Sequence, residues 1–113
     1  LYGESATMAS ESACLGTPAI FLNESNLGYL EELENKYGLV FKYKLSNIDQ
    51  KKSIEKGSKI LQLSDEKSRW QKRSKIVLGD KIDVTSFIVW FIENYPDSTE
   101  VIRKDPNYQK KFR

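Results

Sequence analysis

Apolar residues along this chain follow two different patterns. Where they recur every three or four positions, as at Leu27, Leu30 and Leu33, the sequence predicts an amphipathic helix. Where they form a short unbroken run, as at 18–22, it predicts a strand covered on both faces. In chain order the predicted elements are helix 5–15, strand 18–22, helix 27–37, strand 39–43, and helices 47–62, 65–78 and 84–95.

Polar side chains stand where three of these helices begin, and each can accept a hydrogen bond from a first-turn amide. The candidate N-caps are Ser5 or Thr7, Ser46 or Asn47, and Ser64 or Asp65. Glycine follows three of the helices, at positions 16, 38 and 79, where its tolerance of positive φ suits a helix end.

The alternation of helices and strands sets the predicted fold class. It is α/β, with a partial doubly wound, Rossmann-like parallel sheet of few strands and several helices. Residues 1–95 form the predicted domain, and 96–113 form a basic carboxyl-terminal tail whose last residues, 108–113, are either disordered or a docking strap. Two strands alone make a marginal sheet, and no strand is predicted before the first helix. We therefore expect the chain to be the carboxyl-terminal piece of a larger protein.

The composition argues against several classes of function. The net charge of +2 does not by itself favour nucleic acid as a partner. Because the chain has no histidine and one cysteine, we predict no metal site and no cofactor, and no catalytic residue is identified. Cys14 lies among small helical residues, which predicts a buried, reduced thiol and a cytoplasmic protein.

The candidate site lies at residues 3–18. Small residues at a helix start let backbone amides approach an anion, and the helix dipole adds partial positive charge there. The hydroxyls of Ser5, Thr7 and Ser10 can donate to phosphate oxygens, and Glu11, one turn beyond Thr7, can accept hydrogen bonds from ribose hydroxyls. The alternative is an ordinary helix start with a solvated Glu11.

The segment 4–18 resembles the nucleotide motif in the second domain of GT-B-fold sugar-nucleotide proteins. That group includes UDP-N-acetylglucosamine 2-epimerase and the N-acetylglucosaminyltransferase of peptidoglycan synthesis, and the segment looks closest to a related microbial domain of unknown function. Ser5, Ala6 and Thr7 fall on the family's Ser-Gly-Gly turn, and Glu11 falls on its glutamate. Gly16 and Pro18 fall on the Leu-Gly-x-Pro exit. Ala6 and Thr7 depart from the pattern by replacing glycines.

The resemblance implies the carboxyl-terminal part of a GT-B fold that binds a nucleoside diphosphate sugar such as a UDP-sugar. Ser5 and the amides of Ala6 and Thr7 would hold the diphosphate, and Glu11 would hold the ribose. The parent would transfer or epimerise a sugar in surface polysaccharide biosynthesis. Its catalytic groups would come from an amino-terminal domain that partners this one, so this chain alone is not expected to be catalytic.

Two further regions favour other partners. The apolar helix at 84–95 is either a core helix or a helix whose outer stripe covers the parent's first domain or joins a second copy. The last reading gives the alternative function, a non-enzymatic oligomerisation or interaction domain. The basic region 65–78 is a solvated helix face or a peripheral contact with an anionic membrane, whereas nucleic acid is not expected to bind it.

Overall fold

A small parallel sheet with helices between its strands forms the first part of the structure, which confirms the predicted α/β class. The computed structural model describes residues 1–63 and 66–113, and their contacts form two compact units, Leu1–Val77 and Leu78–Arg113. The first unit contains β1 (Tyr2–Gly3), α1 (Ala6–Cys14), β2 (Ala19–Leu22), α2 (Gly28–Asn35), β3 (Val40–Tyr43), α3 (Asn47–Gln62) and the greater part of α4 (Glu66–Asp80). The second contains α5 (Val84–Glu93), α6 (Asp97–Lys104) and a 3₁₀-helix at Pro106–Phe112.

The sheet has the order β1-β2-β3, and both pairings are parallel. The prediction that no strand precedes the first helix was wrong, because Tyr2 and Gly3 pair with Ile20 and Phe21. A strand of two residues is too short to give a periodic signal, and pairing with β2 is what defines it. The strand β2 is fully buried along its length, as its unbroken apolar run predicts.

Helix α3 covers one face of the sheet. Tyr2, Ile20 and Phe41 are in register across the three strands, so their side chains share that face. The Tyr2 hydroxyl lies 2.7 Å from the Oγ of the fully buried Ser53. A Cβ on Gly57 would lie 3.3 Å from the Ile20 side chain. Small residues on α3 therefore let this helix approach the strands closely.

Helices α1 and α2 contribute to the main core. Buried alanines on α1 and buried leucines on α2 form one cluster with β2 and β3, and its members include Ala9, Ala13, Ala19, Phe21, Leu30, Leu33 and Val40. Leu30 and Leu33 thus face inward, as their spacing predicts. The prediction of a buried Cys14 was wrong, since this residue is exposed. Ala13 takes the inward position, and a step of one residue turns the next side chain by about 100°.

Helix α4 is fixed against the ends of α1 and α2. Ser74 Oγ donates to the Cys14 carbonyl at 2.6 Å, and an Arg73 guanidinium nitrogen donates to the Gly38 carbonyl at 2.7 Å. Both helices end at glycines of positive φ, as predicted at positions 16 and 38. The prediction that α4 ends at Gly79 was wrong, because the helix continues to Asp80. The candidate caps Ser64 and Asp65 lie outside the described residues.

The second unit is built around aromatic contacts of α5. Trp90 lies 4.8 Å from Tyr108 between ring centroids, and Phe87 lies 5.5 Å from Phe112, so the 3₁₀-helix packs on one face of α5. The Asp83 carboxylate caps α5 by accepting from the Ser86 amide at 3.1 Å. No helix in the described residues is long and apolar enough to cross a membrane.

The conformation of Gly38, which follows α2, predicts how a substitution there changes stability. Gly38 has φ of 61°, and a Cβ there would lie 2.8 Å from an Arg73 guanidinium nitrogen. We expect Gly38→Ala to lower the free energy of unfolding by about 1–3 kcal/mol, because alanine is strained at this φ and displaces Arg73 from its hydrogen bond. Urea denaturation followed by circular dichroism measures the effect.

Gly28→Ala is the matched control for that substitution. Gly28 begins α2 without a positive φ, and a Cβ there meets nothing within 4 Å. Alanine at that position is expected to leave the urea midpoint unchanged or to raise it. Equal midpoints for Gly38→Ala and the unmodified protein would contradict the proposed strain.

Candidate functional site

Polar residues follow the strands at the carboxyl edge of the parallel sheet. All three strands run in the same direction, so Gly3, Leu22 and Tyr43 end them at the same edge. The segments that follow the strands are 4–5, 23–27 and 44–46, and they lead into α1, α2 and α3. Ligands of open α/β sheets bind outside this edge, so a binding site is expected there.

The start of α1 combines an N-cap with small residues. Ser5 has extended backbone angles, and its Oγ accepts from the Met8 amide at 3.3 Å, so Ser5 rather than Thr7 is the cap. Ala6 and Thr7 occupy the first turn, where amides have no partner within the helix. No non-glycine residue in the described ranges has positive φ. Ala6 and Thr7 therefore stand at this turn without the strain that replacing glycine can cause.

Glu11 is an exposed carboxylate on the same helix. It lies one turn beyond Thr7, on the same face of α1. Within the described part of the chain, no hydrogen bond or ion pair engages its side chain. The Ser10 hydroxyl, by contrast, donates to the Thr7 carbonyl at 2.8 Å. Ser5, Thr7 and Glu11 thus leave polar atoms facing solvent, whereas Ser10 is already hydrogen-bonded.

A second polar group, which the sequence does not predict, lies beyond β2 and β3. It surrounds a depression of about 390 Å³ lined by residues that include Asn23, Asn26, Lys42, Tyr43, Asp49 and Lys52. The Lys42 ammonium lies 3.4 Å from a Glu31 carboxylate oxygen and 3.4 Å from the Asn26 side-chain oxygen. The position of Asn23 and Asn26 just after β2 was the available signal, but only the sheet register brings them beside Lys42 and Tyr43 of β3.

The electrostatics of this depression act on Tyr43. Burial raises the pKa of the Tyr43 hydroxyl above its ordinary value, and the carboxylates of Glu34 and Asp49 raise it further. Glu34 also accepts from the Lys42 amide at 2.8 Å, which holds its carboxylate beside β3. The phenol therefore stays neutral to a higher pH than an ordinary tyrosine does.

The larger cavity of the first unit lies at the opposite edge. It has a volume of about 640 Å³ and a mostly apolar lining that includes Leu1, Pro18, Ile60, Leu61 and Trp70. Lys67 is its single charged lining residue among those described, so the cavity offers no acid–base pair. The described residues also contain no group of three His, Cys, Asp or Glu side chains placed to hold a metal ion.

No protein-family model matches this chain, and comparisons with curated proteins and with solved structures find no significant match. The carboxyl edge presents several polar groups to solvent. It offers free first-turn amides at Ala6 and Thr7, hydroxyls at Ser5 and Thr7, and a carboxylate at Glu11 that can accept hydrogen bonds.

The environment of Tyr43 predicts a pH effect. Since its folded pKa is raised above the unfolded value of about 10, the unfolded chain loses this proton first as pH rises. The contribution of Tyr43 to stability is therefore complete below that value and is lost as pH rises through the folded pKa. A Tyr43→Phe variant should lose less stability than the unmodified protein in this alkaline range.

The titration itself is measured by phenolate absorbance. The difference between the unmodified protein and Tyr43→Phe isolates one of six tyrosines, and its midpoint is expected above the ordinary tyrosine value. The same difference measured in concentrated urea is the control, where the midpoint should return to about 10. A folded midpoint at or below the urea midpoint would show that the depression does not act on Tyr43 in this way.

Proposed function

We propose that the carboxyl edge beside α1 binds a nucleoside diphosphate sugar, of which a UDP-sugar is the first candidate. The observation that supports this most is the start of α1 at the carboxyl end of β1, with Ser5 as its cap and the Glu11 carboxylate unengaged. These are the positions at which segment 4–18 resembles the nucleotide motif of GT-B-fold proteins.

In this proposal the two ends of the nucleotide are held by opposite charges. The amides of Ala6 and Thr7 carry the positive end of the helix dipole, which favours the negatively charged diphosphate. The Ser5 hydroxyl can donate to a phosphate oxygen while its Oγ accepts from the Met8 amide. Glu11 lies far enough along α1 to avoid the phosphates and to accept hydrogen bonds from the ribose hydroxyls.

The proposed parent protein is a glycosyltransferase or a UDP-sugar 2-epimerase-like protein of surface polysaccharide biosynthesis, acting in the cytoplasm. Its amino-terminal domain would supply the catalytic groups across a cleft from the carboxyl edge. Two features of the first unit support the GT-B part of this proposal: the parallel order of its three strands and the position of α1 after the first of them.

Removal of the Glu11 carboxylate tests the ribose contact. We expect Glu11→Ala to weaken UDP binding by about 1–3 kcal/mol, roughly 5- to 150-fold, the range for losing hydrogen bonds to a charged group. Titration of the labelled protein with UDP and UDP-N-acetylglucosamine by two-dimensional NMR gives both the affinity and the location. Shifts should cluster at residues 4–16.

Glu55→Ala is the matched control, because Glu55 is also an exposed carboxylate within a helix but lies on α3. It should bind UDP as the unmodified protein does. Equal affinities for Glu11→Ala and Glu55→Ala would exclude the ribose role. Shifts confined to residues outside 4–16 would exclude the site.

The second candidate function is a non-enzymatic interaction domain. One observation favours it: α5 exposes the apolar residues Val84, Ile88, Val89 and Ile92, beside the face that carries its aromatic contacts. No residue of α5 is fully buried, which is not the pattern of a core helix. Exposed apolar residues of this kind on one helix favour association with a second copy of the chain.

Self-association through α5 can be tested by charge. The variant Ile88→Lys/Ile92→Lys should convert a concentration-dependent oligomer into a monomer, because the two lysines place cations in the apolar contact. Analytical ultracentrifugation measures the mass. Glu93→Lys is the control, since it changes the net charge by the same two units on another face of α5. A protein that is monomeric before substitution would contradict this function.

A further inference from the structure

The outward face of α4 is basic. The sequence from 67 through 79 contains five cations and no acidic residue, although the whole chain has a net charge of only +2. Trp70, Ser74 and Val77 are buried on the inward side of the helix. Lys72 and Lys75 lie on the opposite side and are exposed, and Ile76 shares a helix face with Lys72.

The orientation of this face is fixed by contacts on the inward side. Ser74 donates to the Cys14 carbonyl and Arg73 to the Gly38 carbonyl, so two hydrogen bonds to separate helix ends set the rotation of α4 about its axis. The Arg73 guanidinium also lies 4.9 Å from the Trp70 ring. The outward lysines cannot turn inward without breaking these contacts, so the basic face is a constant feature of the surface.

We propose that this outward face of α4 binds the surface of an anionic lipid bilayer. Charge complementarity is the first argument, because lysines that are three residues apart on one helix face can lie together along a plane of anionic headgroups. The second argument is Ile76, which is 57% exposed and shares a helix face with Lys72, four residues before it. An apolar side chain among cations gains by entering the boundary between headgroups and acyl chains.

Ile76 also separates this proposal from nucleic-acid binding. A phosphate backbone attracts cations but offers no apolar layer to an exposed isoleucine beside Lys72. The helix contributes a shallow depression of about 530 Å³, lined by Ser68, Arg69, Lys72, Arg73 and Ile76. Since the Arg73 guanidinium already donates to the Gly38 carbonyl, the ammonium of Lys72 is the group that this depression offers to a headgroup, beside the apolar side chain of Ile76.

The size of the effect follows from the number of cations. Each lysine near an anionic surface strengthens membrane binding about fivefold, so Lys72 and Lys75 together account for about 25-fold. Charge reversal should remove at least that much. Since the attraction decays within about 8 Å at physiological ionic strength, it should fall steeply in added salt.

Co-sedimentation of the full chain with lipid vesicles tests the proposal. We expect binding to vesicles of phosphatidylcholine with about a third phosphatidylserine and none to phosphatidylcholine alone. The variant Lys72→Glu/Lys75→Glu should bind at least 25-fold more weakly. The control Lys51→Glu/Lys59→Glu makes the same charge change at two exposed lysines of α3 and should bind nearly as the unmodified protein does.

Three results would overturn the proposal. Equal loss in the α3 and α4 variants would show that net charge, rather than the α4 face, attracts the protein. Binding to a DNA duplex that is stronger than binding to vesicles, and unaffected by Ile76→Gln, would assign the face to nucleic acid. Full displacement from vesicles by millimolar inorganic phosphate would assign it to a single soluble anion.

Discussion

Coverage of both faces of β2 is the constraint on which the first unit depends. Both faces of a parallel sheet are normally covered and kept from water. Three strands, one of them two residues long, bury little surface by themselves. The face that carries Ile20 is closed by α3, which approaches through Ser53 and Gly57. The face that carries Phe21 is closed by α1 and α2. Once both faces are covered, all remaining polar chemistry is confined to the sheet edges and to the outer faces of the helices.

This confinement places the two proposed surfaces of the first unit at different positions. The carboxyl edge receives the start of α1, where unsatisfied amides and Glu11 meet solvent. Helix α4 lies instead across the positive-φ glycines that end α1 and α2. The two ends of α1 therefore differ in what they contact. Its start offers groups to a ligand, whereas the carbonyl of Cys14 at its other end holds α4 in place.

The sequence predicted the elements whose apolar residues recur with a strong period. It missed features that depend on strand pairing or on which side of a helix meets the sheet. Helix bounds agree closely at 47–62 because a helix depends on local spacing and Ser46 caps it locally. The strand Tyr2–Gly3 depends on its partner, and the exposure of Cys14 depends on which side of α1 meets the sheet. Neither can be read from residue types alone. Gly79 shows the opposite error, since glycine permits a helix end but does not require one.

The same distinction explains which parts of the candidate site were predictable. Ser5, Ala6, Thr7 and Glu11 lie on one continuous helix start, so their relative positions follow from helical geometry whatever surrounds them. The group around Tyr43 draws on the loop after β2, on β3 and on the start of α3, and the register of β2 with β3 brings that loop beside Tyr43. A ligand that bridged both groups would have to span two adjacent strand ends. In the proposed nucleotide site, the sheet register rather than any local motif would therefore set how far the ligand reaches beyond α1.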